Sequence, residues 1–161
     1  MTVALAVLIF VTVQRLGELA LAQRNTARLM QQGAIEVGAS HYPLVVAVHA
    51  AWLAGLWWFG WNRSIDPAWL TIFAALQIAR LWVIATLGPR WTTRIIILPG
   101  APLVSGGPFK FVSHPNYLIV VAEICVLPLA FGLVMFAALF SVLNALVLTL
   151  RIRAENAALA R

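Results

Sequence analysis

Apolar residues run along this chain in long blocks, separated by short polar interruptions. A membrane-spanning helix needs about 20 largely apolar residues. Five blocks approach that length: residues 2–21, 43–61, 67–87, 115 to about 131, and 133 to about 150. The third has the clearest start, with Asp66 as an N-cap and Pro67 at the first helical position. Pro128 is expected to kink or end the fourth, so that the fourth and fifth form a short, tight hairpin around Gly132. Residues 88–114 break the pattern. They hold a β-branched run, a Pro-Gly turn and a second short apolar run, which predict a small hairpin or extended flap at the membrane surface. Trp91 and Phe109 are its expected interfacial anchors. The pattern predicts an all-α, polytopic membrane bundle of five transmembrane helices forming a single domain over residues 1–161. Its last two helices form the tight hairpin, and a long loop joins helices three and four.

Composition supports this reading. The hydrophobic fraction is 63% and the charged fraction 10%, against roughly 25% charged in soluble domains. The mean hydropathy is +0.94. The net charge of +6 forms no basic stripe of the kind nucleic acid requires. It is distributed by loop. Arg15, Arg24 and Arg28 lie at or after the first block, Arg90, Arg94 and Lys110 after the third, and Arg151, Arg153 and Arg161 after the fifth. The other side has only Arg63, beside Asp66. This alternation predicts an N-terminus outside and a long loop and C-terminus in the cytoplasm, as in a bacterial inner membrane. No basic segment precedes the first block, so it is expected to be a retained helix rather than a cleaved leader. A single cysteine, Cys125, permits no intrachain disulfide and is expected to be a small buried hydrophobe. His41 and His49 stand far from any carboxylate or thiol cluster, so no metal site is expected. No phosphate-loop, dinucleotide or nucleophile-elbow motif follows a strand.

Polar residues inside apolar spans are costly and therefore candidate functional groups. In the fifth block Asn144, Leu148, Arg151 and Glu155 fall at i, i+4, i+7 and i+11, on one face of a helix that continues out of the membrane. In the fourth, Asn116, Val120 and Glu123 share a face. Glu123 lies about 12 Å along the helix from Pro115. It is expected either to pair with Arg80 as a structural partner, to be a protonated donor, or to contact substrate. Gln77 and Arg80 are neighbours on the third helix, and Arg80 either pairs inward or snorkels to the interface. His114 and Tyr117 are adjacent on the first turn of the fourth helix, with Ser113 or His114 as the expected cap. That turn presents free N–H groups that attract an anion, and Gly106 and Gly107 precede it, allowing close backbone approach.

The segment Gly107-Pro108-Phe109-Lys110-Phe111-Val112-Ser113-His114-Pro115-Asn116-Tyr117 resembles the G-P-Y-R-x-x-R-H-P-x-Y motif of isoprenylcysteine carboxyl methyltransferases. Glu155-Asn156-Ala157-Ala158-Leu159 resembles their E-E-x-x-L element after the last helix. Ser113 stands where the family has arginine, and Asn156 where it has a second acid. The resemblance covers the chain from about residue 88 onward. It implies a membrane enzyme that uses S-adenosylmethionine to methylate a lipophilic acceptor, a prenylcysteine-like carboxylate or an alkylpyrone-like acidic hydroxyl. It implies that Gly106, Gly107, His114, Asn116, Tyr117, Glu155 and Asn156 bind cofactor, and that Arg151 matches the family's upstream arginine. Arg80 or Arg151 is expected to orient an anionic acceptor, and Glu123 to act as base toward a less acidic hydroxyl. The acceptor is expected to enter from the bilayer between helices three to five. Two other readings fit less of the pattern. One is an NADPH-dependent membrane lipid or sterol reductase, for which Arg90, Arg94 and Lys110 are the available phosphate-binding cations. The other is a non-catalytic membrane subunit.

Overall fold

The computed structural model describes residues 2–159. Arg161, counted above among the cytoplasmic cations, lies outside them. Five α-helices carry the fold: α1 (Val3–Gln31), α2 (Tyr42–Gly60), α3 (Pro67–Leu87), α4 (Pro115–Ala130) and α5 (Val134–Leu159). Two three-residue strands, β1 (Ile35–Val37) and β2 (Ile95–Ile97), form one antiparallel ribbon, with Ile35 opposite Ile97 and Val37 opposite Ile95.

Four helices are long and apolar enough to cross a membrane: α1, α2, α3 and α5. The fourth apolar block is a helix of only 16 residues, about 24 Å at ~1.5 Å per residue, against a hydrocarbon core of ~30 Å. All five expected helices are present, but by length α4 falls short of a crossing.

Local chemistry fixes the ends. Asp66 caps α3 as expected, its Oδ1 accepting the Ala68 N–H at 2.8 Å. The Asp66 N–H donates to the Ala130 carbonyl at 2.9 Å, tying the start of α3 to the end of α4. Pro128 lies inside α4, which ends two residues later at Ala130. The chain reverses through Gly132 at φ +69°, and the N–H groups of Gly132 and Leu133 close onto the carbonyls of Leu129 and Pro128, both at 2.9 Å. This satisfies the last carbonyls of α4 and makes the tight α4–α5 hairpin. The first helix runs to Gln31, beyond the expected end at residue 21, and carries Arg24 and Arg28 within it. Near its end Asn25 is buried and donates from Nδ2 to the carbonyls of Trp91 (2.8 Å) and Gly88 (3.2 Å).

The apolar core joins Leu8 and Val11 of α1, Trp52 and Leu56 of α2, Phe73 of α3, Ile124 and Leu127 of α4, and Phe140 of α5. Trp52 donates from Nε1 to the Ile124 carbonyl at 3.2 Å, so its one polar atom is satisfied inside the core. At Gly60 the Phe131 ring packs so closely that a Cβ would stand 2.9 Å from it. Large apolar side chains such as Trp58, Ile78, Met135 and Leu146 cover the outside, the inverse of a soluble surface.

Of the two expected forms of the long loop, hairpin or extended flap, the hairpin is absent: the β-branched run becomes β2 and pairs with β1 in the α1–α2 connection. Arg94 Nη1 also meets Glu36 Oε1 at 2.7 Å. The Pro-Gly turn is present, with Gly100 at φ +76°, but the second apolar run forms no strand. Trp91 is no interfacial anchor. It is 2% exposed, and Asn25 donates a hydrogen bond to its carbonyl. Leu103, Phe111 and Val112 are the loop's exposed large apolar side chains among the described residues. Cys125 is half-buried rather than buried.

Candidate functional site

Charged and amide side chains from α1, α3 and α4 meet inside the bundle. Glu123 is 1% exposed and Arg80 2%. The Arg80 guanidinium is bidentate to Glu123, with Nε to Oε1 at 2.8 Å and Nη2 to Oε2. Arg15 Nη2 reaches Glu123 Oε2 at 2.7 Å, and Gln77 Nε2 reaches Oε1 at 2.8 Å. Glu18 bridges the same two guanidiniums, at 3.0 Å from Arg15 and 3.2 Å from Arg80. Gln14 joins Gln77 at 2.6 Å and Glu18 at 2.9 Å. Two cations balance two anions, so the network is neutral. Ion pairs withdrawn from water persist only when their remaining lone pairs and protons are also satisfied.

Arg80 therefore does not snorkel; it pairs inward. Glu123 accepts four donors from Arg15, Gln77 and Arg80. A carboxylate so occupied has no free lone pair to take a proton. Of the alternatives for Glu123, this geometry favours the structural partner of Arg80. Sequence reasoning missed Arg15, Glu18 and Gln14, because charges near the end of a span were read as topology. Their i, i+3 and i, i+4 spacing on α1 was the available signal.

A second cluster forms where the start of α4 meets the end of α5. Tyr117 Oη donates to Glu155 Oε2 at 2.5 Å, and Arg151 Nε donates to Tyr117 Oη at 3.2 Å. The His114 ring stacks on Tyr117 with centroids 5.3 Å apart and planes 21° apart. His114 Nδ1 lies 4.0 Å from Glu155 Oε2. The Arg151 guanidinium carbon stands 5.6 Å over the Tyr117 ring. The hairpin at Gly132 thus returns Arg151 and Glu155 to the turn carrying His114 and Tyr117. His114 is the N-cap residue, but neither it nor Ser113 supplies a side-chain cap. The N–H groups of Tyr117 and Leu118 close onto the His114 carbonyl at 3.1 and 3.3 Å, and Pro115 has none, which leaves the Asn116 N–H for another partner.

A cavity of about 340 Å³ joins the two clusters. Its polar end is lined by Arg15, Arg80, Asn116, Tyr117, Asn144 and Arg151, and its apolar wall by Leu16, Leu19, Val45, Val46, Leu53 and Val147. Asn116 Oδ1 is buried and has no hydrogen-bond partner among the described residues. The exposed apolar residues of the wall, Leu16, Leu19 and Val46, belong to α1 and α2. The exposed apolar edge of the cavity is therefore on that side, while α4 packs between α3 and α5. Gly107 lies elsewhere, at φ +54° against α3, where a Cβ would be 2.6 Å from Thr86 Oγ1. Its lack of a side chain answers to that packing. Gly106 is extended, with open space where a Cβ would stand, and Asn156 is exposed. Of the loop cations, Arg94 is paired with Glu36 and Arg90 is held by the Pro102 carbonyl, so they form no open phosphate cradle. A wider hollow of about 560 Å³ at the other end of the bundle, near Arg63 and Gly132, contains none of the candidate residues. Among the described residues no group of three or more His, Cys, Asp or Glu is placed to hold a metal ion.

Residues 69–161 match the model of the isoprenylcysteine carboxyl methyltransferase family. The chain is also 41% identical over 152 residues to the uncharacterized protein YpbQ of Bacillus subtilis (strain 168), covering 91% of this chain and 90% of that one. No solved structure matches. The match takes in more than half of the chain and both halves of the His114–Glu155 cluster, so the chain belongs to the isoprenylcysteine carboxyl methyltransferase family.

Proposed function

We propose that this protein is an S-adenosylmethionine-dependent membrane methyltransferase that transfers a methyl group to an oxygen of a lipophilic acceptor. The acceptor oxygen belongs to a carboxylate or to an acidic hydroxyl of the phenol or enol type, prenylcysteine-like or alkylpyrone-like. One observation carries the reading. Tyr117 and Arg151, which tie His114 and Glu155 into one cluster, line a cavity whose far wall is apolar.

The residues present fit the cofactor. Its amino acid end carries an ammonium and a carboxylate, and its ribose carries hydroxyls. Glu155 offers an anionic acceptor, its Oε1 taking no hydrogen bond among the described residues. His114, Arg151 and the Asn116 N–H at the start of α4 offer donors, and the unpartnered Asn116 Oδ1 offers another acceptor. We assign cofactor binding to His114, Asn116, Tyr117 and Glu155, with Asn156, Gly106 and Gly107 at the margin. When bound, the cofactor supplies an electrophilic methyl carbon on a sulfonium. The chain's own contribution is alignment and exclusion of water. Arg151, whose terminal nitrogens are unpaired among the described residues, faces the cavity and orients an anionic oxygen. Arg80 and Glu123 stiffen the wall on which the acceptor rests. The whole chain acts as one unit crossing the membrane five times, with the N-terminus outside, the cofactor cluster cytoplasmic, and α4 completing its crossing through the Gly132 turn.

Saturable binding of S-adenosylhomocysteine to the detergent-purified protein is the direct test. Its absence at millimolar ligand removes the methyltransferase reading. A methyl-transfer screen of alkylated carboxylic acids and phenols then identifies the acceptor.

A further inference from the structure

His49 is the one cavity-lining histidine outside the His114 cluster, and none of the roles assigned above uses it. It sits in the middle of α2, where the apolar wall meets the polar end. Its Nδ1 lies 2.9 Å from the Val45 carbonyl one turn earlier. A carbonyl oxygen can only accept a hydrogen bond, so Nδ1 must carry the proton. In the neutral ring Nε2 is then a bare lone pair, and no protein donor among the described residues satisfies it. The backbone bond orients the ring as well as setting its tautomer, which is how positioned histidines acquire a defined proton-accepting atom.

We propose that His49 Nε2 is the proton acceptor for a hydroxyl-bearing methyl acceptor held in this cavity. The inference rests on the methyltransferase reading above and narrows it to a neutral phenol or enol as the group that is bound. As the acceptor's O–H bond breaks, its proton passes to Nε2. The oxygen's electron pair forms the new O–CH3 bond, and the donor's S–CH3 bond breaks with its pair left on the neutral thioether sulfur. The imidazolium then returns one proton to solvent in each cycle. The other charged and titratable groups lining the cavity are Arg15 and Glu18 from α1, Tyr42 from α2 itself, Arg80 from α3, Tyr117 from α4 and Arg151 from α5. Arg15 and Arg80 are neutralised by Glu18 and Glu123. Arg151 is left to steady the oxygen as its charge develops. Glu123 has its lone pairs filled, so no other open base reaches the wall from α4.

Two measurements test this. The first needs no turnover. The chain has three histidines, His41, His49 and His114, so the H41Q/H114Q variant labelled with 15N-histidine reports His49 alone. The expected spectrum at neutral pH is that of an Nδ1–H tautomer with a bare Nε2. An Nε2–H tautomer overturns the proposal. The second compares His49→Asn, which keeps a donor for the Val45 carbonyl, with wild type on a matched pair of acceptors, an alkylphenol and a fatty carboxylate. General-base catalysis typically contributes ~10²–10⁴-fold. Phenol kcat should fall at least about 100-fold, its loss of activity at low pH should disappear, and carboxylate kcat should stay within about 3-fold. Equal losses on both acceptors, an unchanged phenol rate, or wild-type activity on the carboxylate alone each overturn it. S-adenosylhomocysteine binding distinguishes the two levels of inference. If wild type does not bind it, the methyltransferase reading fails and takes this one with it. If both proteins bind it equally and phenol rates match, only His49's role is lost. His49→Gln repeats the comparison should His49→Asn not fold.

Discussion

Glu155 carries the only carboxylate in the cluster at the α4–α5 junction, and it is shared between Tyr117 and the space beside His114. Truncating it to Ala removes the acceptor for a ligand ammonium or ribose hydroxyl. Glu155→Ala is expected to weaken S-adenosylhomocysteine binding by about 10-fold or more, since hydrogen bonds to charged groups are worth ~1.5–3 kcal/mol. Titration calorimetry in detergent measures it, and unchanged affinity removes Glu155 from the site. Tyr117→Phe deletes the hydroxyl that links Glu155 to Arg151, and a smaller loss of about 3-fold is expected in the same assay. Asn156 is exposed and its truncation should matter less than either. These four residues could be assembled on paper because helical spacing puts His114 beside Tyr117 and Arg151 beside Glu155, and a glycine turn brings the two pairs together. Glu123 was legible as a buried acid, but its partners were only half legible. Arg80 follows from depth in the span, whereas Arg15 comes from a helix more than a hundred positions away. No local period encodes such a pairing.

Among elements, the network of Arg15, Glu18, Gln77, Arg80 and Glu123 joins α1, α3 and α4. Glu123→Gln keeps the shape but leaves two guanidiniums short of countercharge inside the bundle. Removing one partner of a buried ion pair costs about 3–5 kcal/mol. The expected result is a clear fall in the unfolding temperature in detergent, by several degrees. The Arg80→Met/Glu123→Met double variant should lose less than either single change, and additive losses would show that the groups act separately. At the hairpin, Gly132 has open space around a Cβ but sits at φ +69°. Gly132→Ala should therefore destabilise through backbone strain alone, by about 1 kcal/mol. The α3 boundaries were readable because a cap and a proline mark its start and a glycine its end. The ribbon was not. Its strands are three residues each, too short to show a period, and the partner of β2 lies in a different connection. α1 was read as too short because hydropathy reports where lipid ends, and the helix continues past it, held by Asn25.

At the scale of the whole molecule, the proposed orientation puts Ser64 outside and Ser105 in the cytoplasm. With Cys125 changed to Ser, a single cysteine at position 64 should react with a membrane-impermeant maleimide on intact cells. One at position 105 should react only after lysis, and the reverse pattern would invert the topology. The apolar wall of the cavity is supplied in large part by residues 16–53 of α1 and α2, which precede the family-matched region beginning at residue 69. The His114–Tyr117–Arg151–Glu155 cluster lies wholly within that region. On the proposed function, acceptor choice and methyl-donor binding are written in separate stretches of the chain, meeting at one cavity. Exchanging the first two helices with those of another member, the Bacillus subtilis relative for example, should transplant substrate preference while leaving the donor site intact. The N-terminal third then serves as an interchangeable specificity cassette.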